Sequence, residues 1–221
     1  MGWELDPEAV IEAGREVVER EWVAVQGVSS QINSTFVEVV RLLATVTGKV
    51  VTTGVGTSGA VAERLAHLLS VTGTPAFFVQ PSEGLHGRLG AITKQDVVVA
   101  FSKGGHSVEL NEFVSRAKRR AAAVVSVTAD VCSPLGMLAD IPVSLLTAEE
   151  ADPGGMIAMG STLAVAAWGD ALAVTLMRLR GYSWATVLET HPNGAVGLRT
   201  ALPPDLPPIA TATPTATEQA R

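Results

Sequence analysis

The feature that most constrains the fold is a series of short apolar runs separated by helix-length segments. Strands are expected at residues 49–54, 76–79, 96–101, 122–128 and 142–146, each a continuous apolar stretch of the kind found in parallel strands buried on both faces. Helical periodicity is expected at about 59–72, 107–120, 133–139, 160–180 and 183–190. Repeated βα units of this kind imply an α/β fold, a three-layer sandwich with a five-stranded parallel sheet in the middle. Ligands then belong at the carboxyl ends of the strands, so function is expected in the loops that follow them.

Residues 1–47 precede the sheet as a helical arm. Asp6-Pro7-Glu8 combines an N-cap, a proline at the first helical position and an acidic first turn, opening a helix that runs to about Gln26. Gly27 and Ser29-Ser30 interrupt it, and a second helix places Ile32, Phe36, Val39, Val40 and Leu43 on one face. Helical arms outside an α/β core commonly pack on a second subunit, so self-association as a dimer or tetramer is expected. Residues 48–200 form the main domain. Residues 201–221 form a Pro/Ala/Thr-rich tail, with disorder expected over its last dozen residues.

With 221 residues, 47% of them hydrophobic, the chain suffices for one domain with a real core plus extensions. A net charge of −6 argues against nucleic acid, which requires a basic face. The basic cluster Arg116, Lys118, Arg119 and Arg120 falls where a helix should end, and there it complements the dipole. Leu163–Leu176 contains Asp170 and is too short to span a bilayer, so no membrane partner is expected. The N-terminus lacks the basic and apolar regions of a secretory signal, which points to the cytoplasm. Cys132, the only cysteine, excludes an intrachain disulfide and a thiolate metal site, and it is expected in the core.

Two loops carry the chemistry. The first strand stops at Gly54-Val55-Gly56-Thr57-Ser58-Gly59 and a helix opens directly after it. Glycines let backbone amides approach an anion, and the helix adds unpaired N–H groups and the positive end of its dipole. The third strand ends in Ser102-Lys103-Gly104-Gly105-His106-Ser107, again before a helix. One phosphate could take the amides of 103–107, the hydroxyls of Ser102 and Ser107, and Ser58 from the first loop. The plain alternative is two ordinary βα turns. Gly54, Gly56 and Gly59 also fit the dinucleotide pattern G-x-G-x-x-G, but the second strand ends in Gln80 where that site needs an acidic residue, and Glu83 lies beyond it.

The sequence resembles the SIS (sugar isomerase) domain family, in particular its arabinose 5-phosphate isomerase branch, from about Gly48 to Arg199. Residues 54–59 look like that branch's GMGKSG, residues 73–79 like TGTPAFFVHP and residues 83–90 like EASHGDLG. Residues 96–110 look like DVVLALSNSGETEEL, residues 148–153 like REACP, Ser161-Thr162 like a Ser/Thr-rich helix start, and residues 190–197 like SHPGGALG. The resemblance implies a phosphorylated-sugar ligand and aldose–ketose isomerisation without cofactor or metal. The family's long form continues into paired CBS modules; this sequence ends after its proline stretch, so nucleotide regulation through such modules is not expected.

Aldose–ketose isomerisation removes a weakly acidic proton beside a carbonyl and returns it to the neighbouring carbon, which needs a tuned acid/base group and donors for the enediolate oxygens. By resemblance Glu150 is the carboxylate, His191 the acid/base contributed across a subunit interface, and His86 a pocket histidine. The departures lie in the two loops. Thr57 stands where the family has lysine, His106 where it has glutamate, and Lys103 and Gly104 where it has asparagine and serine. One cation has moved from the first loop to the second, and an imidazole replaces a carboxylate, so the expected substrate differs from arabinose 5-phosphate. The alternative function is a phosphosugar-binding protein that senses its ligand without turning it over. Plainer readings also stand: Glu150 as a solvated loop residue beside Glu149 and Asp152, His191 as the end of a helix before Pro192, His67 as a core or interface residue, and His86 and His106 with Glu150 and Asp152 as a metal site that lacks a close-spaced ligand pair.

Overall fold

Strand residues alternate between two buried faces. In a computed structural model, which describes residues 4–121 and 123–210, Val50, Val97, Val99, Phe101, Val125 and Val127 join one core, while Val51, Val98, Ala100 and Val124 join the other. The period of two, with both sides apolar, is what a parallel sheet covered on both faces requires.

The chain runs α1 (Pro7–Gln26), α2 (Ser34–Thr45), β1 (Val50–Gly54), α3 (Gly56–Val71), β2 (Ala76–Phe78), α4 (Pro81–Leu85), β3 (Val97–Phe101), α5 (Val108–Lys118), β4 (Ala123–Thr128), α6 (Pro134–Leu138), β5 (Ile141–Ser144), α7 (Gly160–Arg180), α8 (Trp184–Thr190) and α9 (Gly194–Gly197). The five strands are all parallel in the order β2-β1-β3-β4-β5. The α/β/α sandwich is therefore the observed architecture. Helices α2, α3 and α7 supply Phe36, Leu65, Trp168 and Leu172 to one core. Helices α5 and α6 supply Leu110, Phe113 and Leu135 to the other.

Several elements differ from expectation. α3 starts at Gly56, one turn earlier than its apolar periodicity shows, because the small residues of the loop are themselves helical. β5 ends at Ser144, where the edge of the sheet needs no longer strand and tolerates Pro142. The expected fourth strand began at Ala122, which lies outside the described residues. The Asp6 carboxylate caps α1 as expected, accepting from the amides of Glu8 (3.0 Å) and Ala9 (3.4 Å). α2 belongs to the main core, with Phe36 edge-on to Trp168 at 5.8 Å. α1 buries only Ala24, leaving Val10, Ile11, Val18 and Trp22 exposed.

Cys132 is exposed, not core, because it sits in the turn after β4, where its amide donates to Asp130 Oδ1. The basic cluster finds carbonyls at the end of α5: Lys118 Nζ donates to Leu138 O (2.7 Å) and Arg120 Nε to Ile92 O (3.2 Å). α7 extends beyond the apolar stretch at both ends and, at 21 residues, is long and apolar enough to cross a bilayer. In this fold it packs Trp168, Leu172 and Leu176 into the core. The start of the proline tail is held against α8 and α7: the Trp184 indole donates to Pro204 O (3.0 Å) and Arg178 Nε to Pro207 O (2.7 Å). The disorder expected near the C-terminus falls on residues 211–221, outside the described residues.

Candidate functional site

The connections from β1 to β2 and from β3 to β4 leave the sheet in opposite directions, so the gap between the ends of β1 and β3 is a topological switch point. Both loops singled out in the sequence open there.

In the first loop, Gly54 and Gly59 face each other so closely that a Cβ on Gly54 would lie 2.8 Å from Ser58 O, and one on Gly59 2.9 Å from Gly54 O. Gly56 differs: its φ is +60° and a Cβ there would meet nothing within 4 Å. No side chain caps α3. The amides of its first turn, which Gly56, Thr57 and Ser58 supply, therefore have no acid or hydroxyl partner among the described residues.

The second loop is braced internally. Ser102 Oγ accepts from Gly105 N at 3.1 Å, and Lys103 O accepts from Thr128 Oγ1 (3.0 Å) and Ala129 N (2.9 Å). Gly105, at φ +69°, packs so tightly on Ser133 that any side chain would collide with it. The Ser107 hydroxyl does not cap α5.

A cleft at this rim is lined by Ser58, Ser102, Lys103, Thr128, Ser161 and Thr162, with Val61, Phe101 and Val165 as apolar wall. The fold thus gathers five of the expected binding residues: Ser58, Ser102, Lys103, Ser161 and Thr162. Gly56, Thr57 and Gly104 are exposed beside it, and Gly105 is buried beneath its loop.

None of the four expected proton carriers lines this cleft within one chain. Glu150 is exposed in a 3₁₀ turn, and His86 and His106 are exposed on their loops. His191 ends α8, its Nδ1 3.1 Å from Val187 O, and its ring lies 6.5 Å from that of His67 on the outer face of α3. His67 is exposed and not a core residue.

The residue that sequence reasoning placed only as a neighbour of Glu150 or a metal ligand is Asp152. Its side chain is 1% exposed. Oδ1 accepts from the amides of Met159 (2.8 Å) and Ser161 (3.0 Å), and Oδ2 accepts from Ser161 Oγ (2.6 Å) and Lys103 Nζ (2.6 Å). Burial pushes this carboxyl up, but the hydrogen bonds from Lys103, Ser161 and Met159 outweigh it and bring it down to about 2. The signal available in the sequence was an Asp in a small-residue loop shortly before a long helix with no capping residue of its own. One expectation is corrected: Lys103 does not simply replace the lysine missing at Thr57, because its charge is already paired with Asp152.

Comparison with known proteins agrees with this architecture. The SIS domain profile matches residues 43–175. Arabinose 5-phosphate isomerase GutQ of Escherichia coli K12 is 35% identical over 192 residues, 87% of this chain and 60% of that protein. The chain thus spans less than two thirds of this curated relative. A Listeria monocytogenes structure superposes with a TM-score of 0.82 at 32% identity, covering 86% of this chain and all of that one. A structure from E. coli CFT073 in complex with arabinose 5-phosphate superposes at 0.81 and 32%, covering 85% of this chain and all of that one. On the strength of the matched profile, the parallel sheet and the position of its cleft, the chain belongs to the SIS domain family.

Proposed function

We propose that the protein is a sugar-phosphate aldose–ketose isomerase that works through an enediol, with a substrate other than arabinose 5-phosphate. The observation that carries the reading is the convergence of the uncapped head of α3, the braced second loop and the hydroxyls of α7 on one cleft at the switch point. The amides at the head of α3, which no capping side chain occupies, suit a phosphate ester. The name of the E. coli relative and the sugar phosphate bound in the CFT073 structure support the same substrate class.

In this reading Gly56, Thr57, Ser58, Ser102, Gly104, Gly105 and Ser107 form the phosphate end. Glu150, His191, His106 and His86 remain the candidates for proton transfer. Because they lie outside the cleft of a single chain, the reading requires a second copy or a closing motion to deliver them. The exposed row Val10, Ile11, Val18 and Trp22 on α1 offers a second copy an apolar face.

That same distance favours a second reading, a phosphosugar sensor without turnover. Solvent deuterium exchange at C1 or C2 of pentose and hexose phosphates separates the two. Incorporation supports the isomerase, and tight binding with no incorporation supports the sensor.

A further inference from the structure

Asp152 is ionised at any working pH, so it can only accept hydrogen bonds, and the four groups around it must donate. Ser161 Oγ therefore points its proton at Asp152 Oδ2. Thr162 Oγ1, 3.0 Å from Ala158 O, must likewise donate to that carbonyl. Both hydroxyls at the head of α7 line the cleft with lone pairs only. The amides of Met159 and Ser161, which could have received an anion, are filled by Asp152 as well. Two amides at the head of α7 are thus taken and a buried negative charge lies behind them, which disfavours phosphate there. The first turn of α3, across the cleft, has no capping side chain.

We propose that Asp152 is a positioning residue that gives the cleft two subsites of opposite polarity: a donor subsite at the head of α3 and the second loop for phosphate, and an acceptor subsite at Ser161 and Thr162 for a hydroxyl of the sugar. This rests on the phosphosugar reading above and fixes which way round the ligand lies. Lys103 stands between the subsites. Its ammonium gives one of three N–H donors to Asp152, and its side chain remains 43% exposed, so two donors face outward from a fixed position. A lysine already immobilised this way binds without first being ordered by the ligand. The inference thereby gives Ser161 and Thr162, expected as substrate- or phosphate-binding residues, to the sugar end.

The test uses arabinose 5-phosphate and inorganic phosphate as probes, with inorganic phosphate measured by its competition against the sugar phosphate in calorimetry. Ser161→Ala removes one acceptor from the cleft together with one of the four hydrogen bonds to Asp152, so its melting temperature is read beside its affinities. It should weaken arabinose 5-phosphate about tenfold while leaving the inorganic phosphate constant within about twofold. Asp152→Asn takes away the carboxylate behind the head of α7 and should weaken arabinose 5-phosphate while leaving inorganic phosphate unchanged or tighter. A purely structural role for Asp152 would weaken both probes in step with the loss of melting temperature. If Ser161→Ala weakens both probes equally, the phosphate lies at α7 and the proposal is overturned, whether or not the Asp152 variant folds. Failure of the wild-type chain to bind either probe or any other sugar phosphate would overturn the phosphosugar reading itself.

Discussion

Lys103 Nζ lies 2.6 Å from Asp152 Oδ2, and this one pair ties the loop after β3 to the head of α7 across the mouth of the cleft. The two partners differ in environment, with Asp152 buried and Lys103 half in solvent. The cost of bringing the carboxylate out of water is offset chiefly by its fixed hydrogen bonds, and among the described residues the lysine adds the only full opposite charge.

Lys103→Met should therefore destabilise the protein by about 1–2 kcal/mol, the low end for a charged hydrogen bond, because Asp152 keeps its bonds from Ser161 and Met159. Urea unfolding at unchanged slope would read this as a lower midpoint. Lys103→Arg should recover part of the loss. A neutral effect of the methionine variant would mean that the pair contributes nothing in solution.

Acid should expose a second consequence. Asp152 and Asp96 are both held below the ordinary carboxylate range. In each, burial pushes the group up and hydrogen bonds bring it down further, from Lys103, Ser161 and Met159 for Asp152 and from Lys49 and Thr93 for Asp96. A group with a depressed folded pKa stabilises the fold above its unfolded value and loses that contribution as pH falls through the folded value. Stability should be level from about pH 8 to 5 and fall between about pH 4 and 2, with Asp152 accounting for about 2 kcal/mol. Asp96→Asn, at the opposite end of β3 from the cleft, should lower stability at neutral pH and flatten the acid limb without changing ligand affinity. An acid limb of unchanged steepness in this variant would remove Asp96 from the account.

The sheet was legible because its strands are short and rich in β-branched and apolar residues, and the loops were legible because glycine and serine cluster where strands end. Ser58, Ser102 and Lys103 come together as their positions at strand ends imply. The start of α3 was misplaced because Gly56, Thr57 and Ser58 have weak helix propensity, overridden here by the tight packing of Gly54 on Gly59. Asp152 escaped notice because its partners are 7, 9 and 49 residues away, and one carboxylate among Glu149 and Glu150 carries no sign of burial in one dimension. Cys132 failed for a related reason: small apolar residues favour the core on average, and a turn overrides the average.

Gly56 separates binding from folding within one motif. At φ +60° an alanine is strained by about 1 kcal/mol, but its methyl enters open space at the head of α3. Gly56→Ala should fold and Gly56→Val should fold less well, both with phosphosugar affinity reduced by a factor of ten or more. Gly59→Ala meets the backbone carbonyl of Gly54 at 2.9 Å and should lose stability first. Melting temperature and calorimetric affinity, measured on all three, decide the point. Equal affinity in Gly56→Val and wild type would exclude the head of α3 as the anion seat.

The proton carriers pose the sharpest question, because the cleft of one chain contains none of them. His191→Ala and Glu150→Gln should each leave arabinose 5-phosphate or substrate affinity within a few-fold of wild type and reduce turnover by about 100-fold or more, the usual worth of a general acid or base. If a second copy supplies His191, mixing inactive Glu150→Gln and His191→Ala chains after co-expression should restore part of the activity, since some mixed sites then hold both intact groups. If instead each chain closes over its own cleft, the mixture stays as inactive as its parents, and the exposed turn at Glu150 becomes the segment whose movement matters. Unchanged turnover in both single variants would dismiss both residues and move the search to His106, the exposed imidazole within the second loop.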